Sequence, residues 1–373
     1  MKKICLLGIT GSIGKQTVDV VSRMNDIEIV SASCNSSFDA MDEMISSLNL
    51  KKVSVGCKSF LEEKHPKTCF YYGQEGITKL VNDKDIDIVI NALVGTAGLI
   101  GSVEAIKAKK DLLLANKESL VLAGDIINEL ARKNNVKIFP IDSEHSAILQ
   151  CLDGKNIDEV KEIIITASGG ALRDLSREEL KGVLIKDVLA HPTWQMGGKI
   201  TVDCATMVNK GFEVIEAHHL FNLPYDKIKT VLHKESAIHG AVMFNDGSII
   251  CQMGPTDMRL PIQYALTYPN RYHCVVNKEF SLCDTFDLHF KKMDMDRYPM
   301  LALAYKVASI GGIMPAVYCA SNDLAVKKFL KGEIEFLEIE NIISDTVNYY
   351  LDKNIINPTL EDIFEVVETI NKK

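Results

Sequence analysis

Nothing in this 373-residue chain provides for a membrane span, a disulfide framework or broad contact with nucleic acid. After Met1-Lys2-Lys3 the sequence runs apolar for only four residues, far short of what a bilayer requires. The ten cysteines are scattered and no two form a C-x-x-C, so they read as reduced thiols rather than a zinc site or paired bridges. With no signal-peptide pattern, the expected location is cytoplasmic. A net charge of −8 argues against neutralising a phosphate backbone, yet it leaves room for one small anion held by a few local cations. Internal repeats and low-complexity stretches are absent, and tryptophan occurs once, at Trp194. What remains is a chain long enough for two or three domains, each with its own core.

Through the first 140 residues, short β-rich runs alternate with helical patterns: Ile4 to Leu7, Ile27 to Ala32, Lys52 to Val55, Ile86 to Ile90, Leu112 to Ala115 and Val136 to Ile141. That alternation predicts a parallel, doubly wound sheet. Met41, Met44, Ile45 and Leu48 fall at i, i+3, i+4 and i+7, an apolar helix stripe suited to covering the sheet. Past residue 150 comes another strand, Glu162 to Ala167, and a hairpin about Asn245-Asp246-Gly247-Ser248. From residue 294 the pattern is mainly helical, ending with Thr359 as an N-cap, Asp362 three residues on, and Leu360, Ile363, Phe364 and Val367 on one face.

Gly8-Ile9-Thr10-Gly11-Ser12-Ile13-Gly14 follows the first strand and opens a helix. Small residues there let the backbone approach a pyrophosphate, and the helix start supplies N–H groups to its oxygens. The spacing is G-x-x-G-x-x-G, and the strand before and helix after give it the required context. At the end of the second strand, Ser33-Cys34-Asn35-Ser36-Ser37 holds no carboxylate to repel a 2′-phosphate, which favours NADP over NAD; no Arg or Lys stands there either. The expected fold is therefore α/β. A Rossmann-like NADP domain spans residues 1–142, a central α+β catalytic domain 143–268, a linker 269–293, and a small helical domain 294–373.

Asp142 and Glu144 follow the last apolar run of the first region, where strand ends face the ligand crevice of an open sheet. Two acidic oxygens there suit a hard cation, although such a pair is also the pattern of a solvated turn. Three polar segments follow: Thr166 to Gly170, His191 to Lys199, and Asp203 to Glu213. Their serine, asparagine, lysine and histidine residues are the donors a compact phosphate pocket needs, and Glu213 offers a third carboxylate. Local sequence alone also allows plainer roles. Lys117 reads equally as a surface charge at a helix start, His233 and His239 as structural histidines, and Arg259 as a partner of Asp257 on a surface turn. Trp194 has the residue type of a core anchor but stands in a polar loop bounded by Gly and Pro.

In this order, the segments resemble the 1-deoxy-D-xylulose 5-phosphate reductoisomerase family over nearly the whole chain. The resemblance is carried by Gly8 to Gly14, Asn91 to Gly95, Leu114 to Leu120, Ile141 to Ala147, His191 to Lys199, Met207 to Glu213, His233 to Ser236 with Ile238-His239, and Asp257 to Ile262. It implies metal ligands at Asp142, Glu144 and Glu213. It implies phosphate contacts at Ser168, His191, Asn209 and Lys210, with a further one at Cys204, and a loop from His191 to Gly198 covering the substrate with Trp194. Ser143 and Lys117 match positions that touch substrate, and His239 matches an active-site histidine. Thr10, Gly11, Ser12, Ile13, Asn116 and Glu118 match the cofactor side; Asn35 is expected at the 2′-phosphate from the local sequence alone, and Asn35 to Ser37 is itself a point of difference from the family. Cys204 departs from the usual serine, and Gly254-Pro255-Thr256-Asp257 departs from the usual order, in which proline directly precedes the aspartate.

The implied activity is a rearrangement followed by reduction, using NADPH and Mg²⁺, Mn²⁺ or Co²⁺ on a small phosphorylated sugar, in a homodimer without nucleic-acid or membrane partners. Three other readings stay open. An NADP-dependent semialdehyde or homoserine-type dehydrogenase would not need the three carboxylates. A metal-dependent, aldolase-like lyase would not consume NADPH, and a nucleotide-sensing binding protein would show no turnover.

Overall fold

The computed structural model describes residues 1–372 except 195, 275, 277–280, 282 and 284–286. It divides into two compact units. The first comprises Met1–Ser119, Asp125–Ser146 and Asp257–Asn277; the second comprises Leu120–Gly124, Ala147–Thr256 and Lys278–Lys373.

Seven strands build the first unit: β1 (Lys2–Leu7), β2 (Ile27–Ser33), β3 (Lys52–Val55), β4 (Cys69–Tyr72), β5 (Ile88–Asn91), β6 (Asp111–Leu114) and β7 (Ile138–Pro140). They run parallel in the order β4-β3-β2-β1-β5-β6-β7. The expected doubly wound sheet is present, with β4 as an additional edge strand. Its sequence, Cys-Phe-Tyr-Tyr, is half-exposed and lacks the continuous Val/Ile/Leu character that marks a strand buried on both faces. Chain direction across the sheet reverses between β1 and β5, so their carboxyl ends flank the switch point at which such sheets bind ligands. The stripe on the Phe38–Leu48 helix packs as expected: Met41 and Ile45 are buried in the core, and Met44 and Leu48 lie against it.

The contacts group the chain differently from the expected division at residues 143–268. Helix Arg259–Thr267 packs against helix Ser12–Val21, and Ile262, Ala265 and Leu266 enter the core of the first unit. Burying side chains as large as Ile262 and Leu266 stabilises by roughly 1.5–3 kcal/mol each. Arg259 fixes the docking, donating to Asp257 Oδ2 at 2.6 Å and to Asp19 Oδ2 at 3.0 Å. It pairs with Asp257 as expected, but Asp257 is buried rather than on a surface turn.

The second unit carries β8 (Val160–Ala167), β9 (Ile228–Leu232), β10 (Ile238–Phe244), β11 (Ile249–Met253) and β12 (Lys291–Lys292), in the order β11-β10-β8-β9-β12. β8 and β9 are parallel and the other pairs antiparallel. The hairpin about Asn245 to Ser248 joins β10 to β11 as its turn residues predict. The expected linker ends in β12, which pairs with β9; residues 275, 277–280, 282 and 284–286 of that linker lie outside the described residues. Helix Val208–Phe221 runs against the sheet and against helix Pro299–Ile310. The expected C-terminal helical region belongs to this same unit, as helix Met314–Leu330 packed on Glu338–Tyr350 and Leu360–Asn371. Thr359 and Asp362 form the expected capping box, while the buried face of that last helix is Ile363, Val366, Val367 and Ile370.

Candidate active site

In the first unit, the turn after β1 is shaped for an anion. Gly8 has φ +85°, and a Cβ there would stand 2.6 Å from the carbonyl oxygen of Ala92, so only glycine fits against the β5 end. A Cβ at Gly14 would meet the carbonyls of Gly8 and Ile9. The turn is pinned by Gly8 and Ile9 N–H groups donating to Ser33 O at 3.1 and 3.0 Å. Gly11 is the N-cap of helix Ser12–Val21 and gives no side-chain cap, which leaves the N–H groups of the first turn for a ligand. Thr10, Gly11, Ser12 and Ile13 all lie on this turn.

Asn35 stands exposed at the end of β2, its carbonyl accepting from Gly56 N at 2.8 Å and its carboxamide against Gly56. That bond brings the end of β3 alongside, and two residues on is the exposed Lys58.

Asn116 is buried and donates to Leu93 O at 3.0 Å, Gly95 O at 2.9 Å and Glu118 Oε2 at 3.0 Å, while Glu118 Oε1 accepts from Gly95 N at 3.2 Å. Both residues hold the Leu93–Gly95 turn that follows β5. Between them, Lys117 is 7% exposed, which overturns the surface-charge reading. Its Nζ lies 2.7 Å from Asp142 Oδ2. Asp142 ends the segment after β7, and its Oδ1 accepts from Glu144 N at 3.2 Å and pairs with His145 Nδ1 at 3.0 Å. Burial pushes the Asp142 carboxyl up, but the Lys117 charge and the His145 hydrogen bond outweigh it and hold it well below its ordinary range. Asp142 is therefore a carboxylate at neutral pH. Ser143 Oγ donates to Glu144, which stays half-buried one residue further along.

In the second unit, Ser168 follows β8. Its Oγ lies 3.1 Å from His191 Nε2. His191 Nδ1 accepts from Trp194 N at 3.0 Å and Thr193 N at 3.3 Å, which assigns the ring proton to Nε2 and makes Ser168 Oγ its acceptor. Burial first, and the Arg173 charge second, lower the His191 pKa below its usual 6.5. Trp194 is half-buried, with its ring centroid 6.1 Å from that of His239. His239 Nε2 stands 3.2 Å from the carbonyls of both Gly254 and Pro255, the loop whose order departs from the family pattern. Gln195, within the expected covering loop, lies outside the described residues.

Met207, in the left-handed region at φ 63°, separates helix Gly198–Ala205 from helix Val208–Phe221. On the second of these helices, Asn209, Lys210 and Glu213 share one face at i, i+1 and i+4. Asn209 Nδ2 and Lys210 Nζ both donate to Glu213, and all three are buried. Cys204 is half-buried on the first helix, its carbonyl packed against Gly170 of the Ser168 turn. Ser168, His191, Trp194 and His239 thus form one group, Asn209, Lys210 and Glu213 another. His233 is structural, with Nε2 accepting from Ala237 N and Ile238 N at 3.2 and 3.1 Å.

Two residues escaped sequence reading. His145 was in view as part of the Ile141 to Ala147 segment, but nothing in the pattern gave it a role. Arg173, five residues past Ser168 and beyond two glycines, carries no spacing signal.

Family models match most of the chain: 1-deoxy-D-xylulose 5-phosphate reductoisomerase over residues 4–124, its C-terminal domain over 138–221, and a DXP reductoisomerase C-terminal domain over 253–373. The chain is 48% identical to the 1-deoxy-D-xylulose 5-phosphate reductoisomerase of Bacillus subtilis, across 98% of this chain and 97% of that one. It is 46% identical to the enzyme of the same name from Bacillus cereus, across 100% and 98%. Among solved structures, a DOX-P reductoisomerase in complex with NADPH, fosmidomycin and magnesium superposes with a TM-score of 0.94 at 33% identity, covering 100% of this chain and 97% of that one. The Zymomonas mobilis reductoisomerase in complex with NADPH gives 0.91 at 35%, with the same coverage.

Proposed function

The chain belongs to the 1-deoxy-D-xylulose 5-phosphate reductoisomerase family, and on that premise we propose how its residues divide the work. It is an NADPH- and divalent-metal-dependent enzyme that rearranges and reduces 1-deoxy-D-xylulose 5-phosphate to 2-C-methyl-D-erythritol 4-phosphate, a step of the non-mevalonate route to isoprenoid precursors. Membership of this family sets aside the dehydrogenase, lyase and sensor readings.

The observation that carries the residue assignments is the state of Asp142: its side chain only 10% exposed, ionised by its neighbours, and followed on the same turn by Glu144. Ionised carboxylate oxygens are the donors a magnesium-sized ion takes, so this donor set fits the cation. Asp142, Glu144 and Glu213 are its proposed ligands. When bound, the cation supplies Lewis acidity toward negative charge developing on the substrate's oxygens, and NADPH supplies the reducing equivalent.

The chain's own groups bind and position. Thr10, Gly11, Ser12 and Ile13 take the cofactor's pyrophosphate on backbone N–H groups, and Asn35 with Lys58 takes the 2′-phosphate. Asn116 and Glu118 act from behind, fixing the Leu93–Gly95 turn. Lys117 offers the substrate charge stabilisation or a proton, and Ser143 contacts the substrate while orienting Glu144. Ser168, His191, Cys204, Asn209 and Lys210 bind the substrate's phosphate, whose remote binding energy draws the Trp194 segment over the site and excludes water. His239 packs beside that cover.

We further propose a cytoplasmic homodimer. None of the ten cysteines forms a disulfide, as expected in a reducing compartment, and among the described residues no helix is long and apolar enough to cross a membrane. The edge strand β11 exposes Ile249 and Ile250 by 54% and 39%, an apolar strand edge of the kind a second copy covers.

Loss of NADPH absorbance on adding 1-deoxy-D-xylulose 5-phosphate tests the activity. Oxidation with Mg²⁺, its loss on chelation, and 2-C-methyl-D-erythritol 4-phosphate as product are expected. Folded, NADPH-binding protein that oxidises nothing would refute it.

A further inference from the structure

Ser168 is built as a one-way donor. Both of its hydroxyl's acceptor directions face N–H groups, His191 Nε2–H at 3.1 Å and Gly170 N–H at 3.4 Å, so the O–H proton is left to point at an acceptor outside this network. A phosphate, which at neutral pH offers mainly acceptor oxygens, is such a partner. The aim of that hydroxyl depends on where the Ser168 main chain sits. Ser168 enters a turn of two glycines with φ +90° and +72°, a stretch with little conformational restraint of its own.

The restraint comes from Arg173. Its Nη1 donates to Ser168 O at 3.1 Å and to Lys234 O at 3.0 Å, joining the turn after β8 to the segment after β9. A Cβ at Gly169 would stand 2.6 Å from Arg173 Cβ, so the side chain leaves the backbone directly against the turn it holds. Its one acidic neighbour among the described residues, Asp174, is 3.7 Å from Nε and 91% exposed, too far and too wet to claim the charge.

We propose that Arg173 is a positioning residue for phosphate recognition: by gripping the carbonyls of Ser168 and Lys234 it fixes the two-glycine turn, and so aims the Ser168 hydroxyl at the substrate's phosphate. It need not touch the phosphate itself. The same cation favours neutral His191, whose Nδ1 must stay unprotonated to receive the Trp194 N–H. Arg173 thereby supports both ends of the Trp194–His191–Ser168 chain. This inference rests on the proposed phosphate role of Ser168.

The test is steady-state kinetics with Mg²⁺ on the full chain, comparing wild type with Ser168→Ala, Arg173→Met, Arg173→Lys and the double variant Ser168→Ala/Arg173→Met. If Arg173 acts through Ser168, Arg173→Met raises KM for 1-deoxy-D-xylulose 5-phosphate by about tenfold, with kcat within about threefold and the Kd for NADPH unchanged. In the double variant, KM then stays within about twofold of Ser168→Ala alone, because both changes remove the same interaction. Arg173→Lys, which keeps the cation but lacks the planar fork, gives an intermediate KM and serves as the test should the Met variant not fold. A wild-type KM in a folded Arg173 variant, or two effects that multiply, would overturn the proposal while leaving the phosphate role of Ser168 intact. A wild-type KM in Ser168→Ala would instead overturn that role, and this inference with it.

Discussion

Lys117 Nζ stands 2.7 Å from Asp142 Oδ2, with side-chain exposures of 9% and 10%. A pair this buried is held together by need, since either charge left alone in the interior is strongly unfavourable. Lys117→Met is therefore expected to lower the stability of chelator-treated protein by about 3 kcal/mol and to abolish turnover. Adding Asp142→Asn should recover most of the stability and none of the activity, because the stranded charge is gone while the proposed metal ligand is lost. The sign of the pH effect follows from the lowered Asp142 pKa. Its contribution is present above the unfolded value and disappears as pH falls through the folded one. Without Lys117 that loss begins at higher pH. Acid-unfolding curves that coincide for wild type and Lys117→Met would contradict this account.

The only tryptophan reports on the neighbouring hydrogen-bond chain. Trp194 N–H is received by His191 Nδ1 at 3.0 Å, a bond that exists only while the imidazole is neutral. Burial and the Arg173 charge lower the His191 pKa, so the neutral ring and its stabilising bond are present above the ordinary value of 6.5 and are lost as pH falls through the lower folded value. In substrate-free protein, Trp194 fluorescence should be flat from neutral pH down to 6.5 and change only below it. Histidine NMR should place the His191 midpoint in the same acidic window, and a midpoint above 6.5 would be the wrong sign.

Lys58 supplies a discriminating test of the cofactor end. Its proposed role at the 2′-phosphate rests on β3 lying beside β2, with Gly56 N, two residues before Lys58, donating to Asn35 O at 2.8 Å. Lys58→Gln is expected to raise the Kd for NADPH by about fivefold, as one exposed charge contact allows, and to leave that for NADH unchanged. Equal weakening of both cofactors in a fluorescence titration would place Lys58 elsewhere in binding.

This contrast shows what the sequence could reveal. The doubly wound sheet, the glycine turn and the Asn209–Lys210–Glu213 face are legible because each is local: period-two and period-3.6 apolar spacing, close backbone approach, and i, i+4 geometry. Lys117 was legible only through the resemblance, since its burial is decided by β7 and Asp142, twenty-five residues away in the chain. Helix Arg259–Thr267 reads from sequence as part of the middle region because its docking onto helix Ser12–Val21 depends on Asp19, which no spacing rule links to Arg259. The strand β4 was missed for a different reason: a half-exposed edge strand shows neither a continuous apolar run nor clean alternation.

Cys204 offers the sharpest prediction, because a single atom is exchanged where the family usually has serine. The residue is half-buried, and its carbonyl lies beside Gly170 in the turn that follows Ser168. A thiol is larger than a hydroxyl and a weaker donor, so its bond to a phosphate oxygen is weaker. Cys204→Ser replaces the thiol's weak bond with a hydroxyl's, a gain of about 1 kcal/mol out of the roughly 1.5–3 kcal/mol a full hydrogen bond to a charged acceptor contributes, or roughly a fivefold lower KM for 1-deoxy-D-xylulose 5-phosphate. Because the phosphate is remote from the bond that breaks, kcat should change less than KM, and NADPH affinity should not change at all. Steady-state kinetics beside an NADPH titration decide the matter. An unchanged or raised KM would mean that the neighbourhood has adapted to sulfur, leaving Ser168, Asn209 and Lys210 to hold the phosphate without position 204.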